Sequence, residues 1–220
     1  MTDVVIFGNG ELAEIFHFYL TNDSPYQVRA FTVDNEYLSE TAFLGLPVVP
    51  FEELEDLFPP DTTKMLVAIG YTGLNTLRRK KYDEAKRKGY ELISYISSRT
   101  SLWAKPAIGD NCFILEDVTI QPFVKIGNNV TIWSGNHLGH HCVIKDNVFI
   151  TSHVVISGGT EIGENCFLGI NATIRDHIKV GARCIIGAGA LILEDCEDDG
   201  LYPAVPSARA KVPSSRVRKI

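Results

Sequence analysis

The chain has 220 residues, 45% of them hydrophobic and 22% charged, and a formal net charge of −6. That length holds two modest domains, and the acidic balance gives no sign of a nucleic-acid binder. No apolar run approaches the roughly 18 residues of a membrane span, and Met1-Thr2-Asp3 lacks the basic start of a secretory signal, so a cytoplasmic protein is expected.

The first hundred residues alternate strand and helix patterns. Val4-Val5-Ile6-Phe7 is a short apolar run of the kind that forms a buried parallel strand. Gly8-Asn9-Gly10 follows, then a helical stretch from Glu11 to Leu20 with Leu12, Ile15, Phe16, Tyr19 and Leu20 on one face. Val28 to Val33 reads as a second strand ending at Asp34, and Pro47-Val48-Val49 as a third. Glu52 to Leu57 is a short helix closed by Pro59-Pro60, and Met65 to Ile69 a fourth strand ending at Gly70. A helix from Leu74 to Lys88 is stopped by Gly89, and Glu91 to Ile96 is a last strand. The alternation predicts a small open parallel sheet. Arg78, Arg79, Lys80, Lys81, Lys86, Arg87 and Lys88 share the last helix with Asp83 and Glu84, and the run reads as a solvated helix face.

The turn after the first strand reads Gly8-x-Gly10-x-x-Ala13. Glycines there let backbone approach a ligand phosphate at a helix N-terminus. Asp34 stands where a carboxylate often meets a ribose, and Gly70 and Tyr71 end the fourth strand beside the same crevice. Glu11 would repel a pyrophosphate seated on the helix, which favours a sugar nucleotide bound across the strand ends over a dinucleotide. Taken alone, this motif is a weak signal, since any tight strand-to-helix turn favours glycine.

From Ile108 onward the pattern changes to a period of six. Ile108, Ile114, Ile120, Ile126, Ile132, Leu138, Ile144, Ile150, Ile156, Ile162, Leu168, Ile174, Val180, Ile186 and Ile192 occupy successive first positions, with glycine frequent at the second. Such a repeat predicts a parallel β-helix in which three hexads make a triangular coil and residues 18 apart stack. Cys112, Cys142, Cys166, Cys184 and Cys196 all fall on the fifth position, the small inward corner. They read as core residues, because no paired short spacing suggests zinc or a disulfide. Their odd number suits a reducing compartment.

If the interior of the prism is aliphatic, chemistry belongs on its outward positions. His140 and His141 are the third and fourth members of their hexad, and one coil later stand Gly158 and Gly159. Two imidazoles against two side-chain-free positions make a notch. An imidazole that changes charge near neutral pH suits removal of a proton from an attacking amine or hydroxyl, and N–H groups at Gly158 or Gly159 are candidates to stabilise an oxyanion. The reaction class this fits is acyl transfer. Asn136 occupies a fifth position that elsewhere holds small or apolar residues, and its amide needs a partner. No metal is predicted: a site between subunits needs a third histidine in the right later coil, His177 is the one candidate, and Ala182 stands where its paired histidine would be needed.

A Gly-rich α/β module followed by hexads carrying Gly139-His140-His141-Cys142-Val143-Ile144 resembles the bacterial sugar O-/N-acyltransferase family, most of all the N-acetyltransferases of nucleotide-linked 4-amino-4,6-dideoxy sugars. The resemblance covers essentially the whole chain. It implies an α/β + β fold class: a small Rossmann-like domain with a parallel sheet, residues 1–97, that binds the nucleotide sugar, then a left-handed parallel β-helix, residues 98–220, with a short C-terminal extension. It implies a homotrimer with active sites at subunit interfaces and acetyl-CoA in the groove between adjacent prisms. His140 matches the general base. Gly158, Ile170 and Ala188 match acetyl-CoA-contacting positions, and Gly8, Asn9, Gly10, Asp34, Gly70 and Tyr71 are the nucleotide-sugar candidates.

The chain departs from the family pattern in three places. His141 stands where the family usually has the acid that orients the base, so either Asn136, another acidic group or the neighbouring subunit orients His140, with His141 an orienting or accessory candidate, or the base is weaker. Gly8-Asn9-Gly10-Glu11 replaces the usual glycine pair and histidine. Ala204-Val205-Pro206-Ser207-Ala208-Arg209 alters the C-terminal segment, with Arg209 and Lys211 expected near CoA phosphates. The activity implied is acetyl transfer from acetyl-CoA to the amino group of a UDP-, dTDP- or GDP-linked amino-deoxy sugar in glycan biosynthesis, without an acyl-enzyme. The alternatives are O-acetylation of a sialic-acid-type sugar, a non-catalytic nucleotide-sugar-binding trimer, and an NAD-linked enzyme based on Gly8-x-Gly10.

Overall fold

A computed structural model describes residues 2–103, 106–206 and 216. The N-terminal module comprises β1 (Thr2–Phe7), α1 (Glu11–Asn22), β2 (Tyr26–Val33), β3 (Ala42–Phe43), β4 (Leu46–Pro50), α2 (Leu54–Leu57), β5 (Lys64–Val67) and α3 (Thr76–Arg87). The sheet order is β3-β4-β2-β1-β5. β1 runs parallel to β2 and β5, β2 runs parallel to β4, and only the two-residue β3 is antiparallel, as an edge hairpin with β4. The two-residue period of a strand divides β1 between two cores. Val4 and Ile6 pack with Ala13, Phe16 and Leu20 of α1, whereas Val5 and Phe7 pack with Leu54 and Ala85 on the other face. Helix α3 starts two residues later than its apolar pattern suggests, because Leu74 and Asn75 take left-handed conformations with φ of 53° and 66°.

The predicted strand from Glu91 to Ile96 is shared between the two modules. Leu92 bridges Met65 of the N-terminal sheet, but Tyr95–Ile96 pairs with Phe113–Ile114 and opens the β-helix. Eighteen two-residue strands, β6 (Tyr95–Ile96) to β23 (Leu201–Tyr202), then form three parallel sheets. Register follows the 18-residue rule, as in Thr119↔His137↔Val155↔Thr173↔Leu191. Ile114, Ile132, Leu138, Ile150, Ile156, Ile162, Leu168, Ile174, Val180 and Ile186 are all fully buried. Each full burial contributes about 1.5–3 kcal/mol, so these positions hold the prism together. Fourth positions turn the corners in the left-handed region, from Asn111 at φ 50° to Arg183 at φ 57°.

The repeat is compressed at its end. Val180 bridges Cys196, sixteen residues on rather than eighteen. Cys196 therefore takes the place of a first-position residue, not the fifth position its spacing predicts. The other four cysteines are buried at fifth positions, and Cys112, Cys142 and Cys166 donate their S–H to the carbonyls of Gly127, Ser157 and Gly181 at 3.0–3.1 Å.

The two modules are joined through polar as well as apolar contacts. Phe16 of α1 stacks on Phe113, with ring centroids 3.5 Å apart. Asn111, Asn129 and Asn147 form a buried ladder of side-chain amide bonds at 2.7 and 2.8 Å, and its lower end accepts the Val67 N–H of β5 at 2.8 Å. Helix α3 lies over this ladder and corrects the solvated-face expectation. Arg78 is 1% exposed and donates to Thr131 Oγ1, Asn75 Oδ1 and the Asn147 carbonyl. Lys81 is 5% exposed and is ion-paired to Asp34 and Glu84. Lys86 reaches Asp110 and Lys88 reaches Glu55, so much of the basic helix is spent on internal contacts.

Candidate active site

The histidine notch forms at the corner that follows the Thr119, His137 and Val155 strands. The His140 ring leans along the stack and occupies the space of a side chain at Gly158: an added Cβ there would lie 2.6 Å from Cε1 and 2.7 Å from Nε2. The His140 backbone N–H donates to Gln121 Oε1 at 2.8 Å. Its Nδ1 lies 3.1 Å from Nδ1 of His141, the two rings meeting edge-on at 84°. With Nδ1 engaged, Nε2 is the nitrogen left to meet a substrate, and both rings are exposed.

His141 is held from below by Phe123, whose ring centroid is 4.6 Å away. Gly159 does not offer His141 the same gap that Gly158 offers His140. The ring of His177, one coil above, fills the space over Gly159. The Gly159 N–H is also taken, donating to the His140 carbonyl at 2.8 Å. That removes Gly159 from the two oxyanion donors expected from the sequence. The Gly158 N–H has no hydrogen-bond partner among the described residues.

Asn136 is 1% exposed and belongs to the wall of the coil rather than to the imidazoles. Its amide donates to the carbonyls of Trp133 and Thr151 and accepts the Val154 N–H at 2.7 Å. Those bonds satisfy a buried amide without reaching His140, so the orienting role expected of Asn136 is corrected. Ile170 and Ala188 are exposed, but at a different corner, following the Phe149, Phe167 and Ile185 strands. Within one protomer a full side of the prism separates them from His140 and Gly158.

A second cavity of about 550 Å³ opens at the carboxyl ends of the N-terminal strands. Gly8, Asn9, Gly10, Asp34 and Gly70 all line it, together with Glu11, Tyr37 and Lys81. Its two turn glycines differ in kind. Gly8 has φ 119°, and a Cβ on it would lie 2.9 Å from the Ala68 carbonyl oxygen, so the fold itself requires glycine. Gly10 caps α1 at φ −101°, which any residue adopts, and nothing lies within 4 Å of where its Cβ would be. Asp34 accepts from Lys81 Nζ at 2.6 Å. The two carboxylates paired with Lys81 favour its charged form and raise its pKa, outweighing burial, which lowers it. Tyr71, expected in this crevice, instead packs on the β-helix, 5.1 Å from Phe149 and 4.8 Å from Phe167.

Gln121, Phe123, His177 and Lys81 are the site residues that the sequence left unassigned. Two of them obey the same stacking rule as Gly158: Phe123 lies one coil before His141, and His177 one coil after Gly159. Gln121 lies 19 residues before His140. Cys142, beside the notch, is buried and desolvation raises its thiol pKa, which leaves it a poor nucleophile. Among the described residues no group of three His, Cys, Asp or Glu could hold a metal ion, and no helix is long and apolar enough to cross a membrane. Arg209, Lys211 and the basic tail residues Arg218 and Lys219 lie outside the described residues.

Residues 105–138, 124–158 and 159–194 match the family described as bacterial transferase hexapeptide (six repeats). These matches fall on the hexads of the prism. A search of curated protein sequences found no match. Among solved structures, the whole chain is similar to perosamine N-acetyltransferase from Caulobacter crescentus, determined as a histidine-to-asparagine variant with CoA and GDP-perosamine. The TM-score is 0.82 at 27% identity, over 94% of this chain and 95% of that one. It shares its fold with the acetyltransferase domain of PglB from Neisseria gonorrhoeae FA1090 (TM-score 0.80, 22% identity, 91% and 96% coverage). The same holds for WeeI from Acinetobacter baumannii AYE (TM-score 0.77, 20% identity, 91% and 96% coverage).

Proposed function

We propose that the protein is an acyltransferase that moves an acetyl group from acetyl-CoA to the amino group of a nucleotide-linked amino-deoxy sugar, with His140 as general base. The observation that carries this reading is the placement of His140. Among the described residues, one ring nitrogen is engaged by His141, the other has no partner, and the ring lies against a glycine whose N–H has none either. The likeness to a perosamine N-acetyltransferase holding CoA and GDP-perosamine supports both the donor and the acceptor class.

The chemistry follows from those positions. The cavity at the N-terminal strand ends takes the nucleotide, where Gly10 leaves backbone open to it and Asp34, fixed by Lys81, offers an acceptor to a ribose hydroxyl. The sugar amine attacks the thioester carbonyl while Nε2 of His140 takes its proton. The Gly158 N–H is the donor available to the oxyanion. Collapse of the tetrahedral intermediate breaks the C–S bond, and the departing thiolate takes the proton back. No covalent enzyme intermediate is needed. Since Ile170 and Ala188 stand a prism side away from His140, both sets contact one acetyl-CoA only if a neighbouring protomer supplies the second corner. A homotrimer with interfacial sites meets that requirement. Five buried, unpaired cysteines in the prism core and an acetyl-CoA donor suit a reducing cytoplasm.

The test is release of free CoA thiol from acetyl-CoA against UDP-, dTDP- and GDP-linked amino sugars and their hydroxy counterparts. Release with amino sugars alone is expected. Release with hydroxy sugars alone would make the enzyme an O-acetyltransferase. Nucleotide-sugar binding without acetyl-CoA binding would make it a non-catalytic binder.

A further inference from the structure

His140 and His141 meet through like nitrogens, Nδ1 to Nδ1 at 3.1 Å. A hydrogen bond at that distance holds one proton between two nitrogens, so one ring donates and the other must present a lone pair. Among the described residues no carboxylate comes within 4.0 Å of either ring's nitrogens; the one histidine–acid approach in the region is His177 Nε2 to Asp176, at 4.0 Å. The other neighbours of the pair are uncharged at the contact: Gln121 on the His140 backbone, Phe123 against the His141 ring, and glycine at 158 and 159.

Resting on the reading of His140 as base, we propose that His141 is its positioning residue and that the two rings work as a dyad sharing a single proton. When that proton is on Nδ1 of His140, Nε2 carries the lone pair over Gly158 and the base is competent. When it is on Nδ1 of His141, the neutral His140 must carry its hydrogen on Nε2 and cannot accept another there. A carboxylate in place of His141 would favour only the first arrangement. A histidine permits both, so the dyad is active only with the proton on His140. During the reaction, C–N bond formation passes the amine proton to Nε2, and the imidazolium so formed keeps its Nδ1–H on the His141 lone pair. Breaking the C–S bond gives the proton to the thiolate and restores the neutral pair.

The environment restricts His141 to this role. Its backbone is left-handed at φ 60°, Phe123 packs below its ring, and His177 fills the space above Gly159. The same corner conformation is met by glycine at 135, 159 and 189 and by asparagine at 129, 147, 165 and 171. His141→Gly and His141→Asn are therefore compatible with the fold.

The experiment compares kcat, both KM values and the pH profile of kcat for the wild type and for His140→Asn, His141→Gly, His141→Asn and His141→Asp, with thermal melts as a check on folding. His140→Asn separates the two claims: near-full activity there removes the base and the dyad together. With that activity lost, the dyad predicts that His141→Gly lowers kcat about 10–100-fold while both KM values stay within about threefold, as for loss of a group that orients a histidine. Added imidazole restores part of the rate, and His141→Asn, which keeps an acceptor oxygen, retains more activity than His141→Gly. His141→Asp moves the acid limb to higher pH by about one unit, because a nearby anion favours the imidazolium. A His141→Gly enzyme with wild-type kcat, or an acid limb unmoved in His141→Asp, overturns the dyad and leaves His140 as an independent base.

Discussion

The imidazole of His140 lies in the space that a side chain on residue 158 would occupy. An alanine Cβ at Gly158 would come within 2.6 Å of the ring. The obstacle is the end of a movable side chain, so the ring shifts and the fold survives. Gly158→Ala is expected to lower kcat by about 10–100-fold, the scale of a displacement near 1 Å in a reacting group. The melting temperature should change little. Steady-state kinetics with a thermal melt checks both, and an unchanged kcat would show that the ring does not need its seat over the glycine.

The two glycines of the first turn are expected to separate structure from binding. Gly8→Ala meets the Ala68 carbonyl oxygen at 2.9 Å with φ at 119°, and should cost about 1–3 kcal/mol of stability. Gly10→Ala meets nothing in the protein, so its stability should stay within about 0.5 kcal/mol of wild type. Its KM for the nucleotide sugar should rise while the KM for acetyl-CoA does not. Chemical denaturation and substrate-specific kinetics read the two effects independently.

The periodicity of the sequence carried most of the prism, because a triangular coil with three hexads leaves no freedom in what stacks on what. Gly158 over His140 follows from counting eighteen residues, and so do Phe123 under His141 and His177 over Gly159. Counting in both directions would have found all three. Other features depend on contacts that no single element's pattern contains. The charges of α3 look like a solvated face until the N-terminal module docks on the prism, when Arg78 enters the interface beside the asparagine ladder. Tyr71 leaves the crevice for Phe149 and Phe167 for the same reason. Asn136 signalled a buried amide correctly, but its partners are backbone carbonyls and an N–H that carry no mark in the sequence. Cys196 kept the hexad spacing while the corner before it lost two residues.

Acid should loosen the junction between the modules through Asp23. The backbone N–H of Ser98 donates to its carboxylate at 2.8 Å and the Tyr95 hydroxyl at 2.7 Å, and these bonds hold its pKa below the ordinary 3.8. A carboxyl group whose pKa is lower folded than unfolded stabilises the fold above the unfolded value, and that contribution is lost as pH falls through the folded one. Asp23→Asn should therefore be less stable than wild type at pH 7, with the difference shrinking as pH falls below about 4. Urea midpoints across that range measure it. A difference independent of pH would mean that the contacts of Asp23 do not depend on its charge.

The central claim is that the exposed nitrogen of His140 takes the proton of the acceptor amine. Its most direct test is kcat of His140→Ala, measured by CoA release with the best nucleotide-linked amino sugar and confirmed by binding of both substrates. A fall of about 10²–10⁴-fold, with both substrates still bound, is the predicted result. A variant that turns over at nearly the wild-type rate would contradict it.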